Sequence, residues 1–122
     1  MQSRDEITVH TEAHERGWIV VPTLVGGMFE LRWILNTGHA MSSLSTATGA
    51  VLSALGHLDH MEGRNYRLRD VTLADQRVPD HQVRSGQAVN LLALEGILGL
   101  DFLRQFHDVH FNVPAGLLTL SW

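Results

Sequence analysis

The chain of 122 residues contains no cysteine, and its basic residues are all arginines. Without cysteine, disulfides and thiolate metal sites are excluded, while the redox compartment stays open. The 9 basic residues are outnumbered by 13 acidic ones, and the net charge is −4. A protein that binds nucleic acid by neutralising phosphates needs the opposite balance. We therefore expect no nucleic-acid partner.

Long apolar runs are also missing. No stretch reaches the length of a membrane span, and the N-terminal Met-Gln-Ser-Arg-Asp-Glu lacks the apolar core of a signal peptide. We expect no membrane partner and a cytoplasmic location, either as a whole protein or as an excised domain of a larger one. The length and the 44% hydrophobic content predict a single domain over residues 1–122. Because aromatic residues make up only 7%, the core must consist mostly of aliphatic side chains.

The most informative stretch runs from Trp33 to Leu44. Three apolar residues lead directly into Asn36-Thr37-Gly38, and a small, hydroxyl-rich segment follows. This pattern indicates a buried strand that ends in a tight turn. Since a buried polar group needs partners, Asn36 should either be well hydrogen-bonded or lie in a cleft.

These residues resemble the active-site loop of the retroviral-type, or retropepsin-like, aspartic proteases, in which an apolar pair precedes Asp-Thr-Gly-Ala. A second block, Gly96–Leu103 (Gly-Ile-Leu-Gly-Leu-Asp-Phe-Leu), is similar to the closing motif of that family. The resemblance covers roughly residues 18–121. It implies a mostly β fold: a single-lobe, closed β-barrel of the acid-protease type with one or two short helices.

The resemblance also implies the functional residues. Asn36, Thr37 and Gly38 would form the catalytic loop, with Asn36 at the position of the catalytic Asp. The residues that would contact a substrate are His39, Ala40, Gly63, Leu98 and Gly99. Gly63 enters this set as the tip of a short flap hairpin. No metal and no cofactor is expected.

A single catalytic loop implies a dimer. Aspartic proteases need two facing carboxyl groups that share one proton and activate a water. A chain with one loop must therefore present it to a second copy across a two-fold axis. The resemblance implies that Thr37 bonds to its mate across this axis, and that residues near Gln2–Ile7 and Thr119–Trp122 form an interfacial sheet. The expected partners are a second copy and a peptide or protein substrate or ligand.

The carboxamide at Asn36 changes the expected chemistry. It keeps the shape of a carboxyl group and can form hydrogen bonds, but it cannot exchange protons near neutral pH. The chain as written should therefore be an inactive endopeptidase domain, either an engineered variant or a natural pseudoprotease. His39 and Ala40 stand where the family usually has Ala and Ser, which favours the natural form. The alternative is a non-catalytic peptide-binding or dimerisation module on the same fold.

Local patterns predict most of the elements. We expect a hairpin that turns at Gly26-Gly27, and a helix that begins after Ser45 or Thr46 and ends before Gly56. Asp101 is predicted to cap a second helix. The remaining predictions are the apolar stripe of the first helix at Thr48, Val51, Leu52 and Leu55, and a strand or buried loop at Ala88–Leu94.

Eight histidines suggest a rival metal site. His57 and His60 are three positions apart, as are His107 and His110, and such a spacing would place two zinc ligands on one face of a helix. The predicted elements argue against this site, because the first pair falls in a loop and the second at a helix-to-strand junction. We therefore favour surface histidines, and the metal-dependent alternative stays third.

Overall fold

The computed structural model describes residues 6–13, 17–85 and 96–121. These residues form two sheets and two short helices, α1 (Thr46–Ala54) and α2 (Leu100–Leu103). The strands are β1 (Glu6–His10), β2 (Glu12–Ala13), β3 (Ile19–Val25), β4 (Phe29–Leu35), β5 (Ser43–Leu44), β6 (Leu58–Glu62), β7 (Asn65–Leu68), β8 (Val71–Leu73), β9 (Gln76–Arg77), β10 (His81–Ser85), β11 (Gly96–Leu98), β12 (Asp108–Asn112) and β13 (Leu117–Ser121).

The predicted hairpin is formed by β3 and β4, whose residues pair from Val20↔Ile34 to Val25↔Phe29. Gly26 and Gly27 make its turn with φ values of +62° and +72°, which only glycine adopts at little cost. Pro22 lies within β3, where it can donate no hydrogen bond. On its other edge β3 pairs near its two ends, with β2 and β8, and among the described residues no strand pairs with the proline there.

The larger sheet has the strand order β6-β7-β10-β5-β11-β4-β3-β8-β9 and curls into a half-barrel. Its central pair is parallel, with β11 running beside the end of β4. The core inside the curl includes Trp33, Leu98 and Phe102, none more than 1% exposed. Because the parallel pair is buried, the ends of β4 and β11 are fixed relative to each other.

The smaller sheet, β1-β13-β12, is antiparallel and contributes Ile7, Val9, Leu118 and Leu120 to the same core. The C-terminal strand β13 is central, since β1 pairs with one of its edges and β12 with the other. Strands of its own chain thus occupy both edges of β13, because burying Leu118 and Leu120 draws β1 and β12 against it. The interfacial sheet that the resemblance implies for residues from Thr119 onward stays a prediction.

The first helix begins and ends as predicted. Ser45 is the N-cap and its hydroxyl accepts a hydrogen bond from the Thr48 N–H, while Gly56 follows the C-cap with φ of +86°. The predicted buried stripe is wrong, since only Leu52 is buried and Val51 and Leu55 are 50% and 49% exposed. Leu52 is thus the residue through which α1 joins the buried core.

The small hairpin predicted around Gly63 is also present, formed by β6 and β7 with Gly63 in its turn at φ of +59°. The predicted strand or loop at Ala88–Leu94 and the terminal Trp122 lie outside the described residues. Among the helices in the described part of the chain, none is long and apolar enough to cross a membrane.

Candidate active site

The Asn36 loop begins directly after β4 and folds back on itself. The backbone N–H of Asn36 donates to the Leu98 carbonyl at 3.0 Å, and the Asn36 carbonyl accepts from the His39 N–H at 3.1 Å. The side-chain Oδ1 of Asn36 accepts from the Gly38 N–H at 2.9 Å. The turn therefore has its own hydrogen bonds, as expected for a polar residue at the end of an apolar strand.

The two sequence motifs meet at this loop. Leu98 of β11 pairs with Leu35 of β4, and the Leu100 N–H then donates to the His39 carbonyl at 2.8 Å. A Cβ at Gly99 would lie 2.7 Å from that carbonyl oxygen, closer than real Cβ contacts come. A glycine is needed at position 99 because the two segments touch through their backbones.

Ser42 and Asp101 connect the two segments on their buried side. The Asp101 carboxylate accepts from the Ser42 N–H at 2.9 and 3.0 Å and from the Ser42 hydroxyl at 2.7 Å. The same hydroxyl accepts from the Gly99 N–H at 3.0 Å. Ser42 is completely buried, so this arrangement, the Ser42–Asp101 clamp, satisfies polar groups that water cannot reach.

Asp101 is not the N-cap that the sequence predicts. Gly99 is the N-cap of α2, and Asp101 lies in the first turn, where its carboxylate also accepts from the Phe102 N–H at 2.8 Å. The predicted capping role is wrong because the N–H and the hydroxyl of Ser42, which is distant in the sequence, donate hydrogen bonds to this carboxylate. In the sequence, the sign of this contact is that Ser42 lies close to the predicted turn of the first motif and Asp101 close to that of the second.

The predicted site residues divide into an exposed and a buried group. Asn36, Thr37, Gly38, His39 and Ala40 are all exposed, whereas Gly99 and Leu98 are buried, Leu98 completely. Within the described part of the chain the Thr37 hydroxyl has no hydrogen-bond partner. Leu98 and Gly99 therefore support the loop through their backbones, while the exposed group is available to a partner.

The hairpin around Gly63 stands at one end of the larger sheet, as β6 is an edge strand. A register shift between His60 and Glu62 bends it, and His60 Nε2 lies 2.8 Å from the Gly63 carbonyl. The His60 and Tyr66 rings pack with centroids 5.1 Å apart. The hairpin is short and held by these contacts, and Met61 near its tip is 48% exposed.

A buried histidine lies beneath the second helix. His81 is 5% exposed, and its ring packs against Phe102 with centroids 5.1 Å apart and against Trp33 at 6.2 Å. Neither ring nitrogen has a hydrogen-bond partner among the described residues. Burial lowers the pKa of His81 to about 4, and the carboxylates of Asp101 and Asp80 oppose this shift. His81 is therefore neutral near pH 7.

Of the paired histidines, His57 makes an ion-pair contact, as His60 makes the hairpin contacts described above. His57 Nδ1 lies 2.9 Å from Asp70 Oδ2, and Arg77 contacts the other carboxylate oxygen at 2.8 Å. The hydrogen bond from His57, followed by the charge of Arg77, lowers the pKa of Asp70, and partial desolvation opposes them. Over the described residues, no group of three or more possible metal ligands occurs.

No protein-family model and no curated protein matches this chain. Among solved structures, it is similar to a retropepsin-like aspartic protease from Rickettsia conorii, with 15% identity, a TM-score of 0.66, and coverage of 100% of this chain and 96% of that one. It is also similar to the retroviral protease-like domain of Ddi1 from Leishmania major, with 20% identity, a TM-score of 0.58, and coverage of 84% and 87%.

At these identities the likeness establishes the fold. The chain has the mostly β, barrel-like, single-lobe fold of the retropepsin-like proteases, with two short helices. The prediction made from the two motifs is thereby confirmed at the level of fold.

Proposed function

We propose that this chain is a single retropepsin-like domain that acts as a homodimer and, with Asn36 in place of the catalytic acid, does not cleave peptides. The observation that carries the proposal is the Asn36 loop, which the buried glycine segment holds in place while its own side chains stay exposed. A loop that is rigid and yet uncovered is suited to meet a second surface. The cytoplasmic location of the chain remains a prediction.

The homodimer in this proposal is the arrangement that an active form of the loop would need. Peptide hydrolysis by an aspartic dyad requires two carboxyl groups that share a proton, and the chain carries one such loop. The exposed Thr37, whose hydroxyl has no partner among the described residues, is suited to bond with the partner's Thr37. In this proposal His39, Ala40 and the hairpin tip at Gly63 face a peptide, and no cofactor takes part.

Asn36 separates shape from reactivity. Its Oδ1 accepts from the Gly38 N–H at 2.9 Å, and a carboxylate oxygen would accept the same bond. The loop geometry should therefore survive an exchange of Asn for Asp. A carboxamide can neither take a proton from water nor give one to a leaving amine, so general acid–base catalysis is lost. In a homodimer both acids are missing.

The test is the Asn36→Asp variant. At mildly acid pH it should cleave unstructured peptides and be blocked by a statine-type inhibitor, which mimics the tetrahedral intermediate. Asn36→Ala and the unchanged chain are the matched controls and should show no turnover. If a dimeric, folded Asn36→Asp variant cleaves nothing across a broad peptide library, the loop is not a disabled catalytic site.

A second candidate is a peptide-binding module that never turns over. It is favoured by a cleft of about 310 Å³ between α1, β7 and β10, whose apolar lining includes Leu44, Tyr66 and Val83. A cleft of this size accommodates a side chain. This candidate predicts that the unchanged chain binds peptides and that Tyr66→Ala weakens binding. Cleavage by Asn36→Asp would favour the first candidate.

A further inference from the structure

One buried polar side chain contacts both of the segments that hold the Asn36 loop. The ring of His81, at the start of β10, packs against Trp33, which lies three residues before Asn36 on β4. The same ring packs edge-on against Phe102, which lies three residues after Gly99 on α2. A displacement of the His81 ring is therefore felt at the base of both segments.

The His81 ring lies in this position without a polar partner. Both of its nitrogens are buried, and neither forms a hydrogen bond with any of the described residues. The indole N–H of the neighbouring Trp33 donates to the Thr23 hydroxyl at 2.8 Å, and is thus already engaged. Such an unpaired polar group is uncommon in a folded core. Protonation would make it costlier still, because an imidazolium has two donors and a charge to satisfy.

Two carboxylates are the charged groups that act on this ring among the described residues: Asp101 from α2 and Asp80 from the position before β10. The other elements packed against the ring present uncharged side chains, Trp33 from β4 and the cross-strand partner Leu68 from β7. Of the two carboxylates, only that of Asp101 also holds the loop, since it accepts from the N–H and the hydroxyl of Ser42.

We propose that His81 is an acid-sensitive switch of the Asn36 loop: when its imidazole takes up a proton from water, the Asp101 carboxylate turns from Ser42 to the imidazolium and the loop is released. A charge-assisted hydrogen bond to an imidazolium is stronger than one from a neutral N–H or hydroxyl, which favours the exchange. The inference goes beyond the proposed function, because it concerns the order of the loop and not its reactivity.

The direction of the switch follows from the burial of the ring. Burial lowers the pKa of His81 from 6.5 to about 4, so the ring is neutral and the Ser42–Asp101 clamp is closed near pH 7. A bond to Asp101 stabilises the charged ring, so the transition should have its midpoint between these two values. The loop is thus ordered at neutral pH and released in acid.

The test is an NMR titration of the unchanged chain from about pH 7 to about pH 4. The Ser42 N–H, which donates to Asp101 at 2.9 Å, should shift upfield as it loses its acceptor. The amides of residues 37–39 should become mobile, with order parameters that fall below about 0.6. Both changes should share the midpoint of the His81 ring Cε1–H signal. Circular dichroism should remain native, because only the loop is released.

Two histidine variants identify the group that titrates. His81→Phe keeps an aromatic ring between Trp33 and Phe102 but binds no proton, so the Ser42 amide and the loop should lose their transition. This variant also excludes direct protonation of Asp101 as the cause. The matched control is His110→Gln, which removes an exposed histidine from β12 and should leave the transition unchanged.

Two aspartate variants identify the carboxylate that moves. Asp101→Asn keeps an oxygen that can accept from Ser42 but carries no charge. The midpoint of the His81 ring should therefore fall by ~0.5 pH unit or more, and the loop should stay ordered as the ring titrates. Asp80→Asn also removes a charge near the ring, but it leaves the clamp intact. Its midpoint should fall as well, yet the loop should still be released with the ring.

The outcomes are distinguishable. A transition shared by the His81 ring, the Ser42 amide and the loop, and lost in His81→Phe, supports the switch. The same loop transition in His81→Phe overturns it, as does a ring that titrates while the loop stays ordered, or a ring that takes up no proton by about pH 4. Loss of the native circular dichroism at the same midpoint also overturns it, since the whole domain then unfolds. None of these results bears on cleavage by Asn36→Asp, which tests the proposed function separately.

Discussion

The segment from Asn36 to Ser42 has two sides with opposite properties. On the front, the side chains from Asn36 to Ala40 are exposed, and the Thr37 hydroxyl has no partner within the described residues. On the back, Ser42 is fully buried and hydrogen-bonded to Asp101 and Gly99. Within a few residues, the segment thus passes from exposed side chains that can contact a partner to a buried side chain that is hydrogen-bonded within the fold.

The buried side of the segment therefore stabilises the fold, whereas the exposed side carries the residues for which we propose a functional role. The back holds the position of the loop through buried hydrogen bonds, and such bonds are costly to lose. The front carries the group that would react, and an exposed group adds little to stability. The fold therefore tolerates either an Asn or an Asp at position 36, because this side chain lies on the exposed front.

The largest effect is expected from removing the Asp101 carboxylate. Asp101→Ala leaves the buried Ser42 N–H and hydroxyl without an acceptor, and we expect a loss of about 3 kcal/mol in the free energy of unfolding. Asn36→Ala is the matched change at the front and should cost ~0.5 kcal/mol or less. Urea unfolding measures both. Equal losses in the two variants would contradict the division into front and back.

The next effect concerns a pair of glycines. Gly99→Ala drives a methyl group to 2.7 Å from the His39 carbonyl oxygen, and the resulting strain should cost about 2 kcal/mol. Gly49→Ala is the control, because its new Cβ has no neighbour nearer than 3.6 Å and lies within α1. There we expect a gain of about 0.5–1 kcal/mol from helix propensity. Urea unfolding that shows the same sign for both would refute the close backbone contact.

The last effect, of similar size, is a pH dependence at His81, which is buried beneath α2. The pKa of His81 falls from 6.5 to about 4 on folding, so its contribution is fully present above pH 6.5 and is lost as the pH falls toward 4. At pH 5 the loss should be about 2 kcal/mol. His81→Leu removes this proton and should flatten the stability curve between pH 6.5 and 4, as followed by urea unfolding at each pH. Parallel curves for the two proteins would show that His81 does not titrate in this range.

Local signals in the sequence were sufficient for part of the fold. The Gly26-Gly27 turn, the Ser45 cap and the Gly63 hairpin depend on residues close together in the chain, and the structure confirms each of them. The pairing of the two motifs around Asn36 was predicted by resemblance. Residue type alone would not have joined β4 to β11, because a parallel pair needs a long connection between its strands.

Other predictions failed where distant residues compete. Asp101 was expected to cap α2, but Ser42 binds its carboxylate from the other motif. Val51 and Leu55 were expected to face the core, yet the sheet meets α1 through Leu52.

The sequence by itself determined that one polar loop follows an apolar strand and that the loop begins with the amide of Asn36. These are properties of neighbouring residues, and no fold can change the proton chemistry of a carboxamide. Only the tertiary structure decided which side of the loop is buried, which carboxylate holds it, and that Val109 on β12 remains open. Burial and strand pairing depend on segments far apart in the chain, and their free energies are realised only when those segments meet.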